Sequence, residues 1–273
     1  MNSNDLQVQF THGVSTEALR QLWELCFPED ATGFAQFFLE QYYVPSQAVC
    51  IVNDGDGRVE SALYWLPCTY RLGNQKGTFL YIYAMGTHPD YRKRGNLRRM
   101  LEFTEQYCRE QGFDGMMLHA MPTSKSSVEK FGMKPLLTLR METLLAMGMQ
   151  AGDWVQGTYE DFKELRSQYL KNLTGCICWE ERENRFVYED LRRDGKLVFF
   201  REDGQMHYGI LSNRETEICI EETDWESGLM RRLSGSIRIL KPGSGTYGAH
   251  VKIYKKSLQE QDLGKLYFNL MLK

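Results

Sequence analysis

Between Tyr83 and Arg99 the sequence gathers Arg92, Lys93, Arg94, Arg98 and Arg99 around Gly95, directly after a β-prone run and at the start of a helical pattern. A turn of this kind suits an anion. The first N–H groups of a helix have no intrahelical partner, and the helix dipole adds partial positive charge there. Backbone donors at such a start hold phosphate, and a glycine lets the backbone come close to it. Pro89 suits a sharp exit from the preceding strand. The chemistry implied is capture of a phosphate-bearing small molecule; the plainer alternative is a solvated basic helix start.

The elements that must hold this turn are readable from periodicity. Ser15 caps a helix carrying Leu19, Leu22, Trp23 and Cys26, and an aromatic-rich helix follows through Phe34, Phe37, Phe38 and Gln41. Strands at 48–52, 59–72 and 78–87 are separated by turn signals at 53–57 and Gly73-Asn74, which predicts an antiparallel meander. From 96 to 111 the apolar residues Leu97, Met100, Leu101, Thr104, Tyr107 and Cys108 recur at a period of 3.6, and Gly112 is the stop. A strand at 115–121, a short helix at 126–131 and a strand at 136–145 complete the first half.

The segment Arg92-Lys93-Arg94-Gly95-Asn96-Leu97, led by Thr87-His88-Pro89-Asp90-Tyr91, resembles the acetyl-CoA signature of the GCN5-related N-acetyltransferases. The resemblance extends over 15–145. It implies a mixed, mostly antiparallel sheet flanked by helices, an α/β fold. It also implies acetyl-CoA as cosubstrate, held by Arg92, Lys93, Arg94, Gly95, Asn96, Leu97 and Arg98, with Met85, Gly86 and Thr87 lining its pantetheine arm. Leu97 stands where the family prefers Gly or Ala. Its side chain either narrows the approach to the pyrophosphate or turns into the core while its N–H still serves. Ser127-Val128-Glu129-Lys130-Phe131-Gly132-Met133 keeps the frame of the family's next motif, with Val128 in place of the tyrosine that often protonates the CoA thiolate. The resemblance therefore implies a thiolate that leaves without that donor, another acid in its place, or a silent site. Ser124, Ser126 and Ser127 are expected as a cap and as CoA contacts rather than as acids.

Candidates for the proton steps are Glu60 on the second strand, Glu142 on the last, and Tyr81 and Tyr83, which share a sheet face. Each has a plainer reading: exposed strand positions for the acids, packing for the tyrosines. His88 and His119 flank the cofactor strands and read as structural. The reaction expected is transfer of an acetyl or similar acyl group to an amine, small molecule or peptide. The rival is a catalytically silent acyl-CoA sensor or scaffold.

At 273 residues two domains are expected, 1–147 and 148–273, with a linker at 148–153. The second half reads as helices at 158–172 and 180–193, strands at 197–201, 207–211 and 217–221, a helix at 225–233, and strands at 237–240 and 249–254. That order echoes the first half. The acidic stretch Glu221-Glu222-Thr223-Asp224 replaces the basic turn and repels a pyrophosphate, so this half is expected as a degenerate copy that closes the acceptor cleft or forms a homodimer. A formal charge of −3 argues against a nucleic-acid binder, and no apolar run reaches membrane-spanning length. Seven scattered cysteines, of which only Cys176 and Cys178 are close, fit free thiols in the cytoplasm rather than a metal or disulfide framework.

Overall fold

The structure is a computed structural model that describes residues 7–30, 32–53, 55–122, 124–148, 153–214, 217–245 and 247–269. Asp54 of the first turn and positions 149–152 of the linker lie outside the described residues. In chain order the elements begin β1 (Val8–Phe10), α1 (Thr16–Cys26), α2 (Phe34–Gln41), β2 (Ala48–Val52), β3 (Val59–Leu72) and β4 (Gln75–Thr87). Next come α3 (Asn96–Gln111), β5 (Gly115–Leu118), α4 (Lys125–Lys130) and β6 (Lys134–Met147). The remainder is β7 (Trp154–Val155), α5 (Tyr159–Lys171), β8 (Gly175–Trp179), α6 (Glu181–Arg193), β9 (Leu197–Glu202), β10 (Gln205–Arg214), β11 (Glu217–Thr223), α7 (Glu226–Arg232), β12 (Ser234–Pro242), β13 (Tyr247–Ile253) and α8 (Glu260–Leu263). No described helix is long and apolar enough to cross a membrane.

Local signals place the helices. The Ser15 hydroxyl accepts from the Ala18 N–H at the start of α1, and Gly112 ends α3 in the left-handed conformation, φ +76°. At α5 the Thr158 and Asp161 side chains each accept from the other's backbone N–H, a complete capping box.

The chain divides into two compact units. The first takes in the described residues of Met1–Cys68, Thr78–Lys134 and His250–Ser257; the second takes in those of Thr69–Gly77, Pro135–Ala249 and Leu258–Lys273. The cut therefore differs from the one expected at 147. β6 lies in the second unit, and the end of β13 lies in the first, where His250 to Ile253 pair antiparallel with Leu118 to Gly115. Nothing local in the sequence announces a pairing across that distance.

In the first unit the strand order is β1-β2-β3-β4-β5-β13, with β4 and β5 parallel. Alternation sorts the two faces. Val49, Ile51, Leu63, Trp65, Leu80, Ile82, Met116 and Leu118 pack against Met100 and Leu101 of α3 and Val128 of α4. Trp65 adds an indole hydrogen bond to the Thr104 hydroxyl of α3, 3.2 Å. Tyr64 and Tyr83 instead pack on Trp23 of α1 and Phe38 of α2. The result is a mixed, mostly antiparallel sheet flanked by helices, the α/β class expected.

The second unit repeats a pattern of pairings. β9, β10 and β11 form an antiparallel meander, α7 follows, and β12 returns parallel to β11 at Ile218↔Ile237 to Ile220↔Ile239. In the first unit the meander β2-β3-β4, α3 and the parallel β5 run in the same order. The acidic stretch Glu221 to Asp224 is not a turn but the buried end of β11 and the residue after it. Glu222 binds the Arg166 guanidinium at 2.8 Å and accepts from the Tyr208 and Tyr267 hydroxyls, and Asp224 pairs with the His207 ring at 2.9 Å.

Candidate functional site

The parallel pair β4–β5 holds register from Phe79↔Gly115 to Ile82↔Leu118, where β5 ends while β4 continues to Thr87. Ala84 sits just past this point with φ +45°, a left-handed conformation rare for a residue with a side chain. This φ departs from extended strand geometry just where the parallel neighbour stops. Met85, Gly86 and Thr87 thus lie on an arm whose edge runs on beyond its parallel neighbour. Gly86 is required for closeness: a Cβ there would sit 2.9 Å from the Cys26 sulfur at the end of α1.

The arm leads into a short helical turn, 89–91, and then the basic loop. The His88 ring accepts from the Asp90 N–H at 3.2 Å, the structural role expected of it. Lys93 and Gly95 both take left-handed φ values, +64° and +85°, with Arg94 between them. Alternation of this kind folds successive N–H groups into a concavity that favours anions. Gly95 is also the N-cap of α3, and no side chain caps the helix. A Cβ on Gly95 would meet open space, so the glycine is needed for its φ and not for room. Leu97 settles toward the core, half-buried against the cluster around Met100, which leaves its N–H at the helix start.

The loop's cations are only partly aimed outward. Arg92 donates to the Thr87 carbonyl at 3.1 Å and Arg94 to the Asp90 carbonyl at 3.0 Å, with Arg94 lying over the Tyr91 ring. Arg98 pairs with Glu102 at 2.8 Å. Arg92 and Arg94 therefore brace the turn as well as charge it.

Beneath the loop lies a buried polar cluster that sequence reading missed. Glu60, expected as an exposed strand acid, is 0% exposed. Its carboxylate accepts from the Asn53 amide at 2.8 Å and the Asn96 amide at 2.9 Å, and its carbonyl accepts from the His88 N–H. Asn96 also donates to Ser61, whose hydroxyl donates to Thr87 at 3.0 Å. One network thus ties β3 to the end of β4 and the first turn of α3. A hint of it in sequence was the asparagine between Gly95 and Leu97, which falls on the helix side of Met100, Thr104 and Cys108.

The other candidates do not converge on the arm. Glu142 lies on β6 in the second unit, ion-paired with Arg140 and Lys241. The hydrogen bond from Lys241 leads in holding its carboxyl below the usual range. Tyr81 is buried and its phenol is pushed well up by burial, against a bond to the His119 backbone; Tyr83 packs on Trp23 and Phe38. Both tyrosines match the packing reading. Val128 is fully buried in the α3–α4 core, and Ser124 does not cap α4 with its side chain but donates to the Met121 carbonyl.

The end of the parallel pair β4–β5 and the uncapped, anion-favouring start of α3 thus follow one another along the chain in the first unit. Residues 13–135 match the family model of the acetyltransferase (GNAT) domain. The fold is similar to a conserved Enterococcus faecalis V583 protein described as a probable N-acyltransferase, with TM-score 0.69 and 14% identity over 91% of this chain and 72% of that one. It is also similar to a GCN5-related N-acetyltransferase from Anabaena variabilis ATCC 29413, TM-score 0.67, 15% identity, over 90% and 73% of the two chains. A GCN5-related N-acetyltransferase from Kribbella flavida gives TM-score 0.64 and 12% identity over 93% and 71%. At these identities the likeness is one of fold. No curated protein matches the sequence.

Proposed function

We propose that the chain transfers an acetyl or similar acyl group from acyl-coenzyme A to an amine acceptor, a small molecule or peptide. The observation that carries this reading is the parted strand end beside the uncapped, left-handed loop at Lys93 and Gly95. The N–H groups of Gly95, Asn96, Leu97 and Arg98 would hold the diphosphate, with Arg92, Lys93 and Arg94 supplying charge. Backbone groups of Met85, Gly86 and Thr87 would pair with the pantetheine arm and place an N–H against the acyl carbonyl. The cosubstrate supplies an activated thioester. The protein supplies position, which is itself a large part of such catalysis.

Glu60 is spent on two amides and Glu142 on two cations, so neither serves as the base. The acceptor amine is then deprotonated by water, and turnover rises toward alkaline pH. The second unit is read as a degenerate copy without its own CoA, and the cytoplasm as the place of action. A thermal shift with acetyl-CoA, followed by thiol release with a panel of amines, tests the assignment. Absence of any shift with acetyl-CoA and longer acyl-CoAs sinks it.

A second reading is favoured by Val128, which brings no hydroxyl to α4. In it the protein binds acyl-CoA as a sensor. Binding of one CoA per chain with no thiol release for any amine selects that reading.

A further inference from the structure

The second unit carries a cleft that the acyl-transfer reading leaves unused. Arg71, Lys163, Arg166 and Lys171 line it with Cys176 and Cys178 of β8. Glu181 is a carboxylate on the same wall, paired with Lys163 at 2.8 Å. The two sulfurs lie 3.6 Å apart, and an Arg71 nitrogen stands 3.6 Å from Cys176 Sγ. Arg71 is fixed there by donating to the Leu170 and Leu173 carbonyls at the end of α5. Cys176 is buried and Cys178 half-buried.

We propose that Cys176 and Cys178 form a dithiol redox site that exchanges with a low-molecular-weight disulfide bearing carboxylates. Same-face neighbours on a strand stand about 6.6 Å apart at Cα. That is near the upper end of the roughly 4.4–6.8 Å that a disulfide spans. The bond can form, but under strain, and strained disulfides are the easily reduced ones. Lys163 is paired with Glu181 and Arg166 with the buried Glu222, so Arg71 and the exposed Lys171 supply the attraction for carboxylates. The Cys178 thiol hydrogen bond, then the Arg71 guanidinium, overcome burial and hold Cys176 below the ordinary thiol range, while the shared hydrogen bond pushes Cys178 up.

The exchange balances as follows. The more accessible Cys178 sulfur attacks the incoming disulfide as its proton crosses to the Cys176 thiolate. A protein–ligand S–S bond forms, the ligand's own S–S bond breaks, and one half leaves as a thiolate. That thiolate takes the proton from Cys176, which then attacks Cys178 Sγ. The Cys176–Cys178 bond forms and the second half leaves as a thiolate. The protein loses two electrons and one proton, and the organic disulfide becomes one thiol and one thiolate, which water protonates.

The test is incubation of the native protein with oxidised glutathione, alkylation, and mass mapping of the peptide that holds both cysteines. The expected result is loss of two hydrogens from that peptide, reversed by dithiothreitol, and faster with glutathione disulfide than with the cationic cystamine. Cys176→Ser should accumulate a glutathione adduct on Cys178, and Cys178→Ser should form neither adduct nor bond. Far-ultraviolet circular dichroism confirms that each variant is folded. Full alkylation of both sulfurs after exposure, or an adduct on the wild type as abundant as on Cys176→Ser, overturns the proposal. Equal rates with the two disulfides overturn the carboxylate preference.

Discussion

The carboxylate of Glu60 accepts a hydrogen bond from the side-chain amide of Asn96 at 2.9 Å, with both residues closed off from solvent. The contact fixes the first residue of α3 to the middle of the sheet and so sets where the helix start points. Glu60→Ala takes the carboxylate acceptor from the buried Asn96 amide, which keeps only Ser61, and from the half-buried Asn53 amide. Each such loss costs about 1–3 kcal/mol. Urea unfolding should show the drop, and the acetyl-CoA thermal shift should weaken with it. An unchanged midpoint would mean that water replaces the carboxylate.

Gly95 holds φ +85° with open space beyond it. Gly95→Ala should therefore cost only the left-handed conformation, about 1–2 kcal/mol. Gly95→Asp adds a negative charge beside the anion site and should abolish the thermal shift. A ligand at about 100 times its dissociation constant stabilises by about 2.7 kcal/mol, well within measurement. An aspartate variant that still shifts with acetyl-CoA would move the binding site elsewhere.

Val128 occupies the motif position of a tyrosine but packs at 0% exposure among Met100, Leu101 and Met133. Val128→Tyr forces a ring and a hydroxyl into that core. Overpacking of this sort costs about 1–3 kcal/mol. The denaturation midpoint should fall and turnover should not rise. A faster enzyme with undiminished stability would show that the side chain at this position faces the thioester.

Glu105 of α3 binds Lys252 of β13 at 2.7 Å and Arg109 at 2.8 Å. Burial raises its pKa, but the hydrogen bonds from Lys252 and Arg109 outweigh burial and leave the carboxyl below its ordinary value. A lowered carboxyl stabilises the fold above its unfolded value of about 4.3, and that stability is lost as pH falls through the lower folded value. Glu105→Gln should flatten the acid limb of the stability–pH curve and leave its slope near neutrality unchanged. An identical acid limb in the variant would contradict the linkage.

Arg166 and Glu222 pair at 2.8 Å with side chains 5% and 0% exposed. Breaking a buried pair by removing one partner costs about 3–5 kcal/mol. Arg166→Met should show a loss of that size by calorimetry, larger than that of the double variant Arg166→Met with Glu222→Gln. A single variant no worse than the double would mean that the tyrosines, not the arginine, keep Glu222 satisfied.

The strand–loop–helix around Gly95 was legible because its signals are local: alternation, a glycine, clustered cations, then a period of 3.6. Gly112 and Ser15 were legible for the same reason. Glu60 was not, because its partner Asn96 is 36 residues away and nothing in a strand's alternation says that a carboxylate will find amides inside. β1 and β7 are too short to show a period. β8, Gly-Cys-Ile-Cys-Trp, hides its strand in small and polarizable residues. The acidic stretch at Glu221 to Asp224 read as a repellent turn because Arg166, Tyr208 and Tyr267, which enclose it, come from other elements.

The pairing of β13 with β5 bears on how the chain is made. The last strand of the first unit, His250–Ile253, leaves the ribosome after nearly all of the second unit has been synthesised. Until then β5 presents an unpaired edge, and Lys252 is not yet there to hold Glu105. An exposed edge of this kind is a template for wrong partners. A nascent chain of this protein must therefore keep an unfinished sheet out of trouble for about half of its translation, and a fragment cut at residue 147 would keep it unfinished.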